Sequence, residues 1–341
     1  MEDFNEMRQR QERELLAENN PLQLYPATLD QLLAMDFPPR EWLVDGLLAT
    51  QAMTLVSAAP NSFKTFLMLD LALSIAQGKK LFGELETQQA NILIVDEESQ
   101  DYGLYERFRK FNAPKDLPIW WFSRLGHKVT DEGYIESIVS RCVKHDIGLV
   151  MFDSLTRMHD SEENSSKEMA KVMDAFKKLT DYGIAVLILH HTKKDINSSP
   201  ENAIRGSSEI FAAPDSHIAM RRVTGDNIEI KQTKNRFKKP HKPFKIRLLD
   251  IENEQVIFQL QEWLPSEEDK TSEMKKAILN AIQQQPGIHK KLLEQVTGIE
   301  ERKLAVLLKE LVADEKIVPG KRNRTLQPYY LKDDPSVAET E

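Results

Sequence analysis

The chain has 341 residues, 46 basic and 54 acidic, for a formal net charge of −8 with 40% hydrophobic residues. That length predicts about two domain cores, and the composition is that of a soluble globular protein with no apolar run near the roughly 20 residues a membrane span needs. A single cysteine, Cys142, excludes an intrachain disulfide framework and any multi-cysteine zinc site.

Residues 1–40 read as an N-terminal helix and linker. Phe4, Met7, Leu15 and Leu16 fall loosely at helical spacing, and Asn20-Pro21 ends the pattern. No apolar h-region precedes them, so nothing resembles a secretory signal and a cytoplasmic protein is expected. From 41 to 264, apolar strands alternate with helical stretches, the pattern of an α/β domain on a mostly parallel sheet. Met53–Ser57, Asn91–Asp96, Gly148–Asp153 and Ile184–His190 are the expected buried strands. Thr65–Gln77 and Ser166–Asp181 are helices long enough to cover them. His217–Arg222, Asn227–Gln232, Phe244–Leu249 and Gln255–Leu260 then read as antiparallel strands that extend the sheet. The acidic stretch 265–271 reads as a linker. Residues 272–332 hold three helical patterns and a hairpin, which together predict a small winged-helix domain, and 333–341 is an acidic tail. Positive charge is clustered although the chain is acidic: 231–249 carries eight Lys or Arg and no acid, and 270–332 is net positive by six. Such clusters are where a nucleic-acid footprint is expected.

The segment Ala58-Ala59-Pro60-Asn61-Ser62-Phe63-Lys64-Thr65-Phe66 lies between a predicted strand and a predicted helix, the setting of a phosphate-binding loop. In such a loop, backbone N–H groups surround the phosphates of ATP, a lysine adds a point charge and a hydroxyl binds Mg²⁺. Lys64 and Thr65 suit those two roles. The pattern G-x-x-x-x-G-K-[ST] is broken at both glycines, by Ala58 and Phe63. Downstream, Ile92–Glu98 is a buried strand ending in carboxylates. Leu149–Ser154 is an apolar strand ending in Asp153, whose carboxylate suits Mg²⁺. A further strand ends in His190-His191-Thr192-Lys193-Lys194.

In this order, these residues resemble the RepA-like ATPases, RecA-fold hexameric helicases of plasmids, phages and mobile elements. The resemblance spans roughly Trp42–Leu260 and rests on WLVDGLL, NSFKTFLMLDLALSIAQG, ILIVDEE, LVMFDSLTRMHDSEENSS, LILHHTKK, RGSSEI and KNR. In that family an aromatic residue before the loop lysine is an accepted variant, whereas Ala58 is a departure. The resemblance implies that Glu98, with Glu97 as the alternate, orients the attacking water. It implies that His190 or His191 senses the terminal phosphate, and that Lys234 and Arg236 reach the nucleotide of a neighbouring subunit as a finger. It further implies a homo-oligomeric ring, with Lys193, Lys194 and Arg205 turned toward single-stranded DNA. At the C-terminus, Lys321, Arg322 and Arg324 are expected at the tip of a wing, where they would contact DNA phosphates; a winged helix that binds protein is the alternative. The functions to be separated are a DNA motor acting with replication or mobile-element proteins, a DNA-binding ATP switch that does not unwind, and a signalling or defence ATPase.

Overall fold

Near-continuous apolar strands must be covered on both faces, which directs them to the centre of a sheet. A computed structural model of the chain describes residues 28–35, 37–192, 206–251, 255–321 and 326–335. The chain forms two compact units, 1–41 and 42–341. In the first, helix α1 (Leu29–Leu33) begins at Thr28, which forms a capping box with Gln31.

In the second unit, β1 (Trp42–Val44) and β2 (Leu48–Ala49) make a small antiparallel pair. The large sheet contains β3 (Met53–Ala58), β4 (Asn91–Asp96), β5 (Ile119–Ser123), β6 (Ile147–Asp153) and β7 (Ala185–His191). It continues with β8 (Ser216–Arg222), β9 (Asn227–Asn235), β10 (Phe244–Ile251) and β11 (Gln255–Trp263). Their spatial order is β11-β10-β9-β8-β3-β7-β6-β4-β5. The six strands from β8 to β5 run parallel, and β9 to β11 add antiparallel neighbours. The four buried strands lie at the centre as expected. Contrary to the sequence expectation, β8 is a parallel partner of β3, and antiparallel pairing starts only with β9.

Helices cover both faces. α2 (Lys64–Gln77) and α3 (Asp101–Lys110) pack on one face around Met68, Leu69 and Ile75, together with the inward residues of β9 to β11. α4 (Tyr134–His145) and α5 (Ser166–Asp181) close the other around Ile138, Phe152 and Phe176, with the one-turn α6 (Glu209–Ala212) beside them. Cys142 is buried within α4, and burial pushes its thiol up to about 12. No helix among the described residues is long and apolar enough to cross a membrane.

The expected linker at 265–271 is helical from Glu267 onward. α7 spans Glu267–Gln284, and Ser266 caps it in a box with Asp269. Three acids, Glu267, Glu268 and Asp269, occupy its first turn, where the helix dipole favours negative charge. An acidic run that resembles a linker by composition is a helix start by spacing. Beyond it come β12 (Ile288–His289), α8 (Lys290–Thr297), α9 (Glu301–Ala313), β13 (Ile317–Pro319) and β14 (Pro328–Leu331). The three strands form a sheet in the order β12-β14-β13, over a separate core of Ile282, Leu293, Leu304, Leu308 and Leu311.

Candidate nucleotide site

The loop after β3 is shaped by backbone conformations that normally favour glycine. Asn61 and Phe63 both take positive φ, at 59° and 65°, and the Ser62 hydroxyl donates to the Ala59 carbonyl at 2.5 Å. Phe63 therefore occupies the second glycine position in the left-handed conformation, at the N-cap of α2. A non-glycine residue there costs roughly 1 kcal/mol. Phe63 is also held by ring contacts: Phe66 lies 6.3 Å away edge-on, and the Arg222 guanidinium sits 4.6 Å over its face. Ala58 needs no such freedom. It is the last residue of β3, fully buried, in register with His191 on one side and Met220 on the other. The first departure from the glycine pattern thus falls on ordinary strand backbone.

Lys64 opens α2 and is 7% exposed. Its ammonium donates to the carbonyls of Ala58 (3.2 Å) and Ala59 (3.0 Å) and lies 3.3 Å from His191 Nδ1. Burial lowers its pKa, opposed by the charges of Asp153 and Glu98. Thr65 Oγ1 donates to Asp153 Oδ2 at 2.7 Å. Asp153 ends β6 in register with Asp96 at the end of β4, and the peptide bond from Asp153 to Ser154 is cis. Burial, then the neighbouring Asp96, pushes the Asp153 carboxyl up to about 7.

Asp96 shapes the next turn: its Oδ1 accepts from the backbone N–H groups of Glu98 and Ser99 at 2.8 and 2.7 Å. This aims Glu98 across the gap, where Ser154 Oγ donates to its Oε1 at 2.5 Å and His191 Nε2 lies 3.5 Å from the same oxygen. The His191 contact, followed by that of Ser154 against the cost of burial, holds the Glu98 carboxyl down at about 2. Glu97 points elsewhere and accepts from the backbone N–H groups of Leu125 and Gly126. The geometry thus brings Glu98, not Glu97, to Lys64 and Asp153. Strand alternation likewise separates the two histidines. His191 shares the α2 face of the sheet, while His190 is wholly buried on the opposite face, in register with Ser57.

Asp153, Glu98 and buried Asp96 gather three carboxyl groups at neighbouring strand ends, with Lys64 beside Asp153 and Glu98. Asp96 Oδ2 accepts no hydrogen bond among the described residues and has Arg107 at 4.0 Å. A carboxylate set beside a hydroxyl at the start of a helix fits a hard divalent cation, and the loop fits a polyphosphate. The AAA_25 family of AAA domains matches residues 18–197, just over half of the chain. The chain belongs to this family. As an AAA domain with a RecA-like core it is an ATPase-type protein, and its site lies where open parallel sheets bind ligands, at the carboxyl ends of the strands. No curated protein matches the chain. Among solved structures, the DnaB-like replicative helicase described with its interactions with primase is similar to this AAA domain, with a TM-score of 0.50 and 13% identity. The match covers 72% of this chain and 70% of that one, a likeness of fold.

Lys234 and Arg236 lie at the other end of the sheet from Lys64. Asn235 pairs with Ser216, which pairs with Thr54 near the start of β3. Lys234 donates to the carbonyls of Phe211 and Ala212 at 2.9 and 2.6 Å, and burial lowers its pKa to about 8. Arg236 donates to Ala212 O at 2.7 Å and to Asp215 Oδ1 at 3.2 Å. Much of the basic run around them is engaged within the chain. Lys231, Lys239 and Lys242 pair with Glu267, Glu268 and Asp269 of α7, and Lys238 pairs with Asp45. Lys193, Lys194, Arg205, Arg322 and Arg324 lie outside the described residues, and Lys321 is exposed after β13. Sequence reasoning missed Arg222, Ser154, Asp96 and His217. Arg222, Ser154 and His217 act through tertiary contacts that no local motif encodes, and Asp96 through a turn to Glu98 and Ser99.

Proposed function

We propose that this AAA domain is an ATP-driven ring motor on DNA, a replicative helicase or translocase of a phage or mobile element. The observation that carries the reading is the division of the charged machinery between opposite ends of one sheet. Lys64, Thr65, Asp153, Glu98 and His191 converge at the carboxyl ends of β3, β4, β6 and β7, whereas Lys234 and Arg236 sit near the amino end of β3. The backbone of β3 advances about 3.3 Å per residue, so its length alone separates the two sets by roughly 15 Å. Within one chain the pair cannot meet the phosphates that Lys64 would hold. A neighbouring subunit can bring its own pair to them, and a hexameric ring is the expected assembly.

In this reading Lys64 binds the phosphates of ATP, and Thr65 and Asp153 hold Mg²⁺, which when bound neutralises charge on the phosphate oxygens. Glu98 is kept ionised by His191 and Ser154 and accepts the hydrogen bond of the attacking water. Arg236 of the adjacent subunit meets the developing charge, a contribution that reaches about 10³ to 10⁵ in rate when supplied in trans. We read the C-terminal elements, three helices and a three-stranded sheet, as a winged helix and assign them a second DNA contact. Arg302, Lys303 and Lys309 are exposed on α9 around exposed Val306, while Glu301 and Glu310 are paired with Lys290 and Lys275.

The test is ATP hydrolysis by wild type and Lys64→Ala, with and without single-stranded DNA, across protein concentrations that span oligomer assembly. The motor reading expects hydrolysis that DNA stimulates, that rises faster than linearly with protein and that the substitution abolishes. A forked duplex that stays intact while DNA still stimulates hydrolysis would reduce the motor to a switch. Hydrolysis indifferent to DNA would exclude both.

A further inference from the structure

The P-loop strand and β9, which carries Lys234 and leads directly into Arg236, are not adjacent; β8 lies between them. A buried polar chain crosses β8. Ser57 Oγ is 2.7 Å from His217 Nε2, and His217 Nδ1 is 2.5 Å from Thr233 Oγ1. Ser57 and His217 are wholly buried. A second link runs parallel to it: Asp215 accepts from the Met53 backbone N–H at 3.0 Å with Oδ2, and from Arg236 with Oδ1.

Each partner of His217 belongs to one of the two functional strands. Ser57 directly precedes Ala58, whose carbonyl receives Lys64. Thr233 directly precedes Lys234. The ring of Phe211 stands edge-on to His217 at 5.3 Å, receives the Lys234 ammonium over its face at 5.3 Å, and its residue's carbonyl accepts from Lys234. An apolar residue at position 217 would fill the same core without the cost of burying an imidazole. Buried polar groups that are fully satisfied specify one arrangement where apolar packing tolerates several. Burial holds the His217 pKa down at about 3, so the ring stays neutral and bridges the two hydroxyls as one donor and one acceptor.

We propose that His217 is a positioning residue that fixes β9, with Lys234 and the Arg236 that follows it, against the P-loop strand, and so sets the reach of the finger presented to the next subunit. This rests on the ring reading above. Loss of the bridge lets β9 settle in alternative positions, which weakens the finger in trans and leaves the subunit's own nucleotide binding intact.

Two substitutions test it in the full-length protein. His217→Gln keeps a polar tip near Ser57 and loses the Thr233 arm. Thr233→Val removes only that arm and preserves volume, so it stands if the histidine variant fails to fold. Both are expected to lower kcat for DNA-stimulated hydrolysis about tenfold with KM for ATP within about twofold, the signature of a lost transition-state contact. Each is then mixed with Lys64→Ala, whose own site is dead and whose finger is intact, alongside a control mixture of Arg236→Ala with Lys64→Ala. Recovery of hydrolysis in both the test and control mixtures supports the proposal, because the defect is then repaired by a neighbour's finger. Recovery only in the control overturns it and assigns His217 to its own P-loop. No recovery in the control overturns the trans-finger reading itself. An unchanged kcat in both variants also overturns the proposal.

Discussion

Replacing Asp153 with Asn should stabilise the protein in the absence of divalent cations, although it removes a residue of the candidate site. The carboxyl is 2% exposed and its pKa is raised from 3.8 to about 7, first by burial and then by Asp96. The unfolded chain ionises this group near its ordinary value, so between pH 4 and pH 7 the folded state holds a proton that the unfolded state has released. Stability from this group is therefore complete at low pH, falls as pH rises through that window, and is absent above about 7. At about 1.36 kcal/mol per pKa unit the difference is ~4 kcal/mol, and local relaxation of the carboxylates toward water brings the expected effect to about 2 kcal/mol. Asn keeps an acceptor for the Thr65 hydroxyl and carries no charge. For a unit of this size, a stabilisation of that order raises Tm by roughly 4–8 °C. The assay is thermal melting of both proteins at pH 5 and pH 8 in EDTA, then at pH 8 with Mg²⁺ and ADP. Asp153→Asn should melt higher at pH 8 and show a smaller drop between the two pH values. Addition of Mg²⁺ and ADP should raise the wild type and not the variant. Asp70 is shifted the same way by burial, but it is present in both proteins and cancels in the comparison. An equal or lower Tm for the variant at pH 8 in EDTA would refute the reasoning.

Three further outcomes follow from the same site. Glu98→Gln should retain nucleotide binding and lose about 10² to 10⁴ in hydrolysis rate; His191→Ala, which removes the largest influence lowering the Glu98 pKa from 4.5 to about 2, should shift the acid limb of the rate profile upward, so an unmoved acid limb contradicts the assigned contact. For Phe63→Gly, relief of left-handed strain of about 1 kcal/mol is offset by loss of the Arg222 ring contact, about 0.5–1 kcal/mol. Stability and hydrolysis should therefore change little, and a tenfold rise in kcat would mean that the phenylalanine distorts the loop.

Sequence legibility followed burial and spacing. β3, β4, β6 and β7 were recognisable because a strand buried on both faces has no polar alternation to confuse it. β5 and α3 were missed for the opposite reason: β5 is a short edge strand, and α3 buries only Leu104. Lys64, Thr65, Glu98 and Asp153 were legible because strand ends and loop order imply them. The choice between His190 and His191 depended on which residue ends up in register with Ala58, and pairing is a property of two distant segments. The basic run at 231–249 was readable as charge but not as engaged charge, because its acidic partners lie on α7, in a stretch whose composition suggests a linker.

Those partners have a mechanical consequence. α7 is 18 residues long, about 27 Å at 1.5 Å per residue, and its first turn is joined to β9 and the β9–β10 connection by three solvent-accessible ion pairs. Pairs of this kind contribute about 0–1 kcal/mol each and weaken with salt, so the helix is a stiff rod on a soft hinge. A tilt of about 10° at that hinge carries its far end roughly 5 Å over such a length, enough to turn a small rearrangement of β9 and β10 into a visible swing of the C-terminal elements.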